Sequence, residues 1–275
     1  MHFYKYQGAG NDFLVADNRL GDFNLTTEQI VALCDRRYGF GADGLMLLEH
    51  SAVADFKMVF YNPDGTGGMM CGNGGRCMVA FAAFLGYDSF RFEAPDGLHE
   101  AQVLSTNDQQ TSMEVRLKMI DVHQVQELSN DDWYVYTGAR HRVCFLAGGL
   151  DEWPVQEQGR LLRHDPAFLP EGTNVNFVQL VVGPDIQCLA VRTYEKGVEA
   201  ETWACGTGIV ASSIAAYRSG RLRPCASTGR VQVQVRAKKD ALSVDFLPQG
   251  PVASDVWLTG PAVQVGEVIA TNLPG

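Results

Sequence analysis

Apolar and polar residues alternate strictly through VQVQVRA (231–237), the period of a strand with one face buried and one face wet. Shorter segments of the same kind recur along the chain. In the first half they are FYKYQ (3–7), FLVAD (13–17), LMLLE (45–49), FKMVFY (56–61) and FRFEA (90–94). In the second half come YVYT (134–137), HRVCFL (141–146), VNFVQLVV (175–182), LAVRTY (189–194) and ALSVDF (241–246). Such half-buried strands predict sheets that are mostly antiparallel.

Helical patterns are few. TTEQIVALCDRR (26–37) opens on threonines that can cap a helix and carries a glutamate in its first turn. Residues 73–85 (NGGRCMVAFAAFL) are apolar on nearly every side after the first turn, which predicts a buried helix rather than an amphipathic one. Residues 207–219 (TGIVASSIAAYRS) are small and apolar, again suited to close burial.

The last two helices match each other. CGNGGRCMVAFAAFLG runs from Cys71 to Gly86, and CGTGIVASSIAAYRSG runs over the same span from Cys205 to Gly220. Each begins C-G-x-G, contains an Ala-Ala pair and ends in a glycine placed to stop a helix. Each follows a strand and an acidic, glycine-containing loop, FYNPDGTGG in one case and RTYEKGVEAET in the other. The period is too long for a solenoid repeat and signals a duplicated half. The expected architecture is α/β (α+β) with two pseudo-symmetric domains, each a curved, mostly antiparallel sheet wrapped around a central helix. The boundaries read as 1–118 with the tail 263–275, and 119–262.

Composition narrows the function classes. Of 275 residues, 46% are hydrophobic and 20% charged, the balance of a packed globular chain long enough for two domains. A formal charge of −10 argues against a nucleic-acid partner held through its phosphates. The N-terminus MHFYKYQGAGNDF carries no signal-peptide pattern, and VAFAAFLG (79–86) is too short to span a bilayer, so no membrane association is expected. The seven cysteines lack framework spacing and, read with the missing signal, predict reduced thiols in a cytoplasm. Cys34, Cys77, Cys144, Cys188 and Cys225 read as small buried hydrophobes.

Cys71 and Cys205 read differently. A thiol just ahead of a helix sits beside unpaired backbone N–H groups and the positive end of the helix dipole. That setting lowers its pKa from about 8.5 toward neutrality, and the flanking glycines let a carboxylate approach the same N–H groups. Two such sites related by duplication, facing each other across an interdomain cleft, suit inversion at a tetrahedral carbon. One thiolate removes the α-proton of an amino acid, and the opposite thiol protonates the other face. The helix N-termini would stabilise charge developing on the carboxylate. No lysine-centred pyridoxal phosphate motif is present, so no cofactor is expected, and no histidine is spaced with His141 to bind a metal.

The motifs KYQGAGNDF (5–13), RRYGFGADG (36–44), YNPDGTGGMMCGNGGRC (61–77), TNVNF (173–177), YEKGVEAETWACGTG (194–208) and VWLTGPA (256–262) together resemble the diaminopimelate epimerases. These are pyridoxal-independent enzymes of lysine and peptidoglycan precursor synthesis, and the likeness runs nearly end to end. The resemblance implies two pseudo-symmetric α/β domains and the epimerisation of LL-2,6-diaminopimelate to the meso form. It implies Cys71 and Cys205 as the base and acid pair. Gly72, Asn73, Gly206 and Thr207 match donors to the reacting carboxylate, and Asn11, Asn62 and Asn174 match substrate-holding amides. Glu195 matches the acceptor of the substrate ammonium and, with His141, a group that tunes the thiols. Neutral amides suit a zwitterion, because they donate and accept without competing for the proton being moved.

Three positions depart from the family pattern. Ala139-Arg140-His141 stands where the family has Asn-Pro-His. Lys196 replaces the arginine after the glutamate, which keeps charge but loses the bidentate grip on a distal carboxylate; Arg140 is a candidate to compensate. Gly266 stands where the family has an aromatic residue at its homodimer contact, so the homodimer is an expectation carried by the resemblance alone. The rival readings are a racemase for another amino acid on the same scaffold and a redox sensor using Cys71 and Cys205 as a switchable pair.

Overall fold

The computed structural model describes residues 1–129, 131–181, 187–271 and 273. The chain divides into two compact units, one formed by Met1–Leu117 with Gly260–Gly275 and the other by Lys118–Thr259. Residue 182 of the sequence-predicted strand 175–182, and residues 272, 274 and 275 of the expected tail, lie outside the described residues.

The first unit contains β1 (His2–Gly8), β2 (Asn11–Asp17), α1 (Thr27–Cys34), β3 (Gly44–Glu49), β4 (Phe56–Tyr61), α2 (Gly72–Phe84), β5 (Arg91–Ala94), β6 (Gly97–Thr106) and β7 (Ser112–Lys118). The second contains β8 (Val125–Ser129), β9 (Asp132–Tyr136), β10 (Arg140–Leu146), α3 (Val155–Arg163), β11 (Asn174–Val181), β12 (Cys188–Glu195), β13 (Ala200–Glu201), α4 (Gly206–Arg218), β14 (Val231–Arg236) and β15 (Ala241–Gln249). The last strand, β16 (Val252–Ile269), begins in the second unit and ends in the first.

The first unit's strands pair in chain order from β1 to β7, and β16 then joins β7 to β1, so the sheet closes on itself. In the second unit the order β9-β10-β11-β12-β14-β15-β16 repeats the order β1 to β7. The pairing directions repeat too. β2–β3 and β4–β5 are parallel, as are β10–β11 and β12–β14, while their neighbours are antiparallel. Each parallel step needs a crossover, and each has its helix: α1 and α2 in one unit, α3 and α4 in the other. The duplication visible around the two cysteines therefore extends across both halves.

The central helices are buried within their own units, as the all-round apolar pattern predicts. Cys77 through Ala82 of α2 are 0–1% exposed. Phe81 packs its ring against Tyr4 and Tyr6 of β1, a burial worth roughly 2–3 kcal/mol. In α4 the small residues admit close strand approach, and two buried serines satisfy themselves by donating to the carbonyls of Gly208 and Ile209 one turn back. Gly86 and Gly220 adopt φ of 94° and 76°, the left-handed turn that ends a helix most easily without a Cβ.

Several expectations need correction. The helix anticipated over 26–37 stops at Cys34, because Asp35 turns the chain and its carboxylate accepts from the N–H groups of Arg37 and Tyr38. α3 escapes the sequence reading, since its polar VQEQGRLLR buries only Val155 and Gly159. β16 was hidden by Gly260, Pro261 and Gly266. Cys225 is not a buried hydrophobe: it is exposed, and hydrogen bonds from Ser227 and Thr228 hold its thiol down at about 6. Cys188 is only partly buried. Among the described residues no helix is long and apolar enough to cross a membrane.

Candidate active site

Each unit carries a cysteine at the N-cap of its central helix, in extended backbone conformation. In the first unit Cys71 Sγ accepts from the Gly74 N–H at 3.2 Å, so the thiol itself caps α2. Asn73, two residues on, donates its amide to Asn11 Oδ1 at 2.6 Å and accepts from Arg76 Nη2 at 2.8 Å. Asn11 in turn donates to Asp43 Oδ2 at 2.9 Å. The guanidinium is an obligate donor and the carboxylate an obligate acceptor, so both amide orientations are fixed. Arg76 is fully buried, and its other groups donate to the carbonyls of Gly72 and Pro261.

The packing explains why two separate motifs serve this corner. Lys5 and Asp12 come from KYQGAGNDF, and Arg36 and Asp43 from RRYGFGADG. Lys5 pairs with Asp12 at 2.6 Å, and Arg36 bridges Asp12 and Asp43 at 2.6 and 2.5 Å. Burial alone would raise Asp12, but the hydrogen bonds from Arg36 and Lys5 outweigh it and hold the carboxyl below its ordinary value. Gly8 lets β1 press on the first turn of α2: a Cβ there would meet Asn73 O at 2.9 Å and Cys77 Sγ at 3.0 Å. Asn62 lies in a separate turn, where its amide nitrogen donates to Thr66 Oγ1 and Gly67 O.

In the second unit the corresponding corner is built from different side chains. Cys205 is 6% exposed and its Sγ lies 3.5 Å from Thr207 Oγ1. Thr207 stands two residues into the motif, like Asn73, and its hydroxyl meets His141 Nε2 at 3.0 Å. His141 is the second residue of β10, near the strand start that Asn11 occupies in β2. Beyond it, Asn176 Nδ2 lies 3.2 Å from His141 Nδ1. Asn174 donates to the Arg140 carbonyl at 3.0 Å and accepts from the Lys196 N–H at 2.9 Å, which leaves one amide hydrogen and one lone pair for another partner.

Electrostatics separate the groups. Burial raises Glu195, against hydrogen bonds from Thr202 and Cys205 that favour its charge; Thr202 Oγ1 donates to it at 2.5 Å. Burial, then the Glu195 charge, push the Cys205 thiol up, opposed by the Thr207 hydroxyl and the Gly208 N–H. The expectation of a lowered thiol therefore fails at Cys205, because desolvation outweighs the helix end. Burial also drives His141 down to about 3, so its imidazole is neutral. On the surface, Arg140 pairs with Glu171 at 3.0 Å, and Glu171 also feels the charge of Lys196.

Asn11, Asn73 and Cys71 thus gather at one helix end, and His141, Thr207, Cys205 and Glu195 at the other. Asp43, Arg76, Asn176, Thr193 and Thr202 escaped the sequence reading of the site. Arg76 and Asn176 lie inside motifs already singled out, GGRC and TNVNF, but nothing in a linear pattern says which polar residues of a motif point inward. Chemically, each corner offers a thiol beside first-turn N–H groups, which in an α-helix have no intrahelical acceptor and favour an anion.

Comparison with known proteins identifies the family. The family model described as diaminopimelate epimerase matches residues 3–120 and 133–256. The diaminopimelate epimerase of Chlorobaculum tepidum is 43% identical over 263 residues, covering 93% of this chain and 95% of that protein. That of Flavobacterium psychrophilum is 40% identical over 272 residues, covering 97% and 99%. Among solved structures, a phenazine biosynthesis protein of the PhzF family from Bacillus anthracis superposes with a TM-score of 0.71 at 16% identity over 99% of each chain, a likeness of fold.

Proposed function

The chain belongs to the diaminopimelate epimerase family, and from that premise we propose that it converts LL-2,6-diaminopimelate to the meso form without a cofactor, as a step toward lysine and peptidoglycan precursors. Cys71 and Cys205 are the two bases. One, as thiolate, takes the α-proton; the other, as thiol, returns a proton to the opposite face. The reverse reaction exchanges their roles.

The raised Cys205 and Glu195 fit the donor half of that cycle. A thiol kept protonated by burial and by a neighbouring carboxylate is a proton source until an arriving cation changes the balance. The substrate ammonium, received by Glu195, would neutralise the charge that holds the proton on sulfur. The N–H groups of Gly72, Asn73, Gly206 and Thr207 would bind the reacting carboxylate, and Asn11, Asn62 and Asn174 the remaining polar groups. Charge developing on the carboxylate as the α-proton leaves is where fixed donors lower the barrier most.

The observation that carries this reading is the doubled constellation: a cysteine N-cap on a buried helix, followed by a polar residue fastened to a strand side chain. It occurs once with Asn73–Asn11 and once with Thr207–His141. A redox sensor needs the thiols alone and gives no reason for those flanking partners. Incubation with LL-diaminopimelate in deuterated water should place deuterium at the α-carbon, and Cys71→Ala and Cys205→Ala should each abolish turnover. Turnover without isotope entry would overturn the reading.

Lys196 and the Arg140–Glu171 pair favour one second reading, a racemase for another amino acid on the same scaffold. The same isotope assay run on a panel of amino acids separates the two, since only the distal half of the substrate differs.

A further inference from the structure

Buried beneath the Cys205 corner is a polar chain that the reaction as described does not use. Asn176 is fully buried, and each polar end of its side chain is committed. Its Nδ2 lies 3.0 Å from the backbone carbonyl of Arg142. A carbonyl only accepts, so that atom must be nitrogen and the amide cannot be flipped. Its Oδ1 accepts from Thr193 Oγ1 at 2.9 Å, which agrees with the same orientation. The second hydrogen on Nδ2 then points at His141 Nδ1, 3.2 Å away.

A ring nitrogen that accepts a hydrogen bond carries no proton. His141 is therefore protonated on Nε2 alone, and that N–H donates to Thr207 Oγ1. With its oxygen already accepting from His141, Thr207 turns its own hydrogen toward Cys205 Sγ. We infer that Asn176 is a positioning residue: it locks the tautomer of His141 and so directs the Thr207 hydroxyl onto the Cys205 sulfur, where it stabilises the thiolate. In the opposite tautomer Nε2 would accept, the Thr207 hydrogen would turn to the ring, and the sulfur would lose a donor. The remaining geometry agrees. A Cβ on Gly208 would sit 2.2 Å from Asn176 Oδ1, so the glycine is what allows the first turn of α4 to rest on this amide. Thr137 Oγ1 donates to the Thr207 carbonyl at 3.1 Å and holds that residue's backbone in place.

The consequence for the reaction rests on the epimerase reading, but the tautomer does not. Nitrogen chemical shifts of the free protein with labelled histidine should show, for His141, an unprotonated Nδ1 and a protonated Nε2 across the neutral range. A proton on Nδ1 in the wild-type protein would overturn the inference. Asn176→Asp replaces the donor by an acceptor and should move the proton to Nδ1, with kcat falling about tenfold to a hundredfold and KM nearly unchanged, the scale of one lost hydrogen bond to a charged group. Asn176→Ala, which removes the donor without supplying an acceptor, should leave the ring exchanging between tautomers, with a similar fall in kcat. If folded Asn176→Asp and Asn176→Ala both keep wild-type shifts, or both keep wild-type kcat, the lock is wrong. Failure of the wild-type protein to turn over diaminopimelate would count against the epimerase reading alone, because the nitrogen shifts still decide the lock.

Discussion

The Asn73 amide donates to Asn11 Oδ1 at 2.6 Å, tying the first turn of α2 to the start of β2. Thr207 and His141 make the matching tie in the other unit. A duplicated fold has thus kept the same joint while changing both of its members. The joint holds each thiol's helix against the strand that carries the next polar group.

Cutting that joint in the first unit should destabilise the protein as well as impair it. Asn73→Ala leaves Asn11 Oδ1 and Arg76 Nη2 without the partner they have now, inside a buried corner. Losing such a pair is worth about 1–3 kcal/mol, or a fall in Tm of about 2–4 °C per kcal/mol for a chain of this size. Thermal unfolding checks it, and an unchanged Tm would show that the corner is not held as described.

Glu195→Gln should act in the opposite sense on stability. The folded protein holds the Glu195 carboxyl above its ordinary value. The group's contribution is therefore full below the unfolded pKa of about 4.3 and is lost as pH rises through the folded one. At neutral pH the charged form is a burden on the fold. Glutamine keeps an oxygen for Thr202 and removes that burden. The variant should be the more stable protein at neutral pH, with the advantage vanishing in acid, and should be much less active. Denaturant midpoints measured across pH would decide it; a variant less stable at neutral pH contradicts the raised carboxyl.

Alkylation should find Cys225 ahead of the buried cysteines. Its thiol is exposed and held at about 6, so at neutral pH it is largely thiolate, whereas burial raises Cys34, Cys77, Cys144 and Cys205. Brief treatment with iodoacetamide at neutral pH, read by peptide mass spectrometry, should label Cys225 ahead of those four, and its rate should fall as pH drops below about 6. Faster labelling of any buried cysteine would contradict the thiol order.

Arg140 tests how the distal end of the substrate is held. If Arg140 compensates for the lysine at position 196, Arg140→Ala should raise KM for diaminopimelate about tenfold to a hundredfold, as for a lost charge-assisted hydrogen bond. Its guanidinium is now paired with Glu171, so Glu171→Gln should lower KM by freeing it. An unchanged KM in Arg140→Ala excludes the residue from substrate binding.

Much of this was legible in the linear chain. Strict alternation in VQVQVRA placed β14 to within one residue of its end, and the all-round apolar character of residues 73–85 and 207–219 gave both central helices to within one residue of their starts. The C-G-x-G repeats placed the two thiols at helix N-caps. Strands with mixed character, such as β6, and the polar helix α3 were not legible, because what forms them is pairing to a neighbour rather than their own period.

What the sequence determined is what depends on local chemistry: which segments bury a face, where glycine permits a helix to stop, and which residue types stand next to each thiol. Only the tertiary structure decided that burial would raise the Cys205 thiol, that Asp43 and Arg76 would fix the amides of Asn11 and Asn73, and that Asn176 would reach His141. Those outcomes come from groups distant in the chain sharing one poorly solvated space, where each donor must find an acceptor. A motif names the donors, but only the packed fold says which acceptor each one meets.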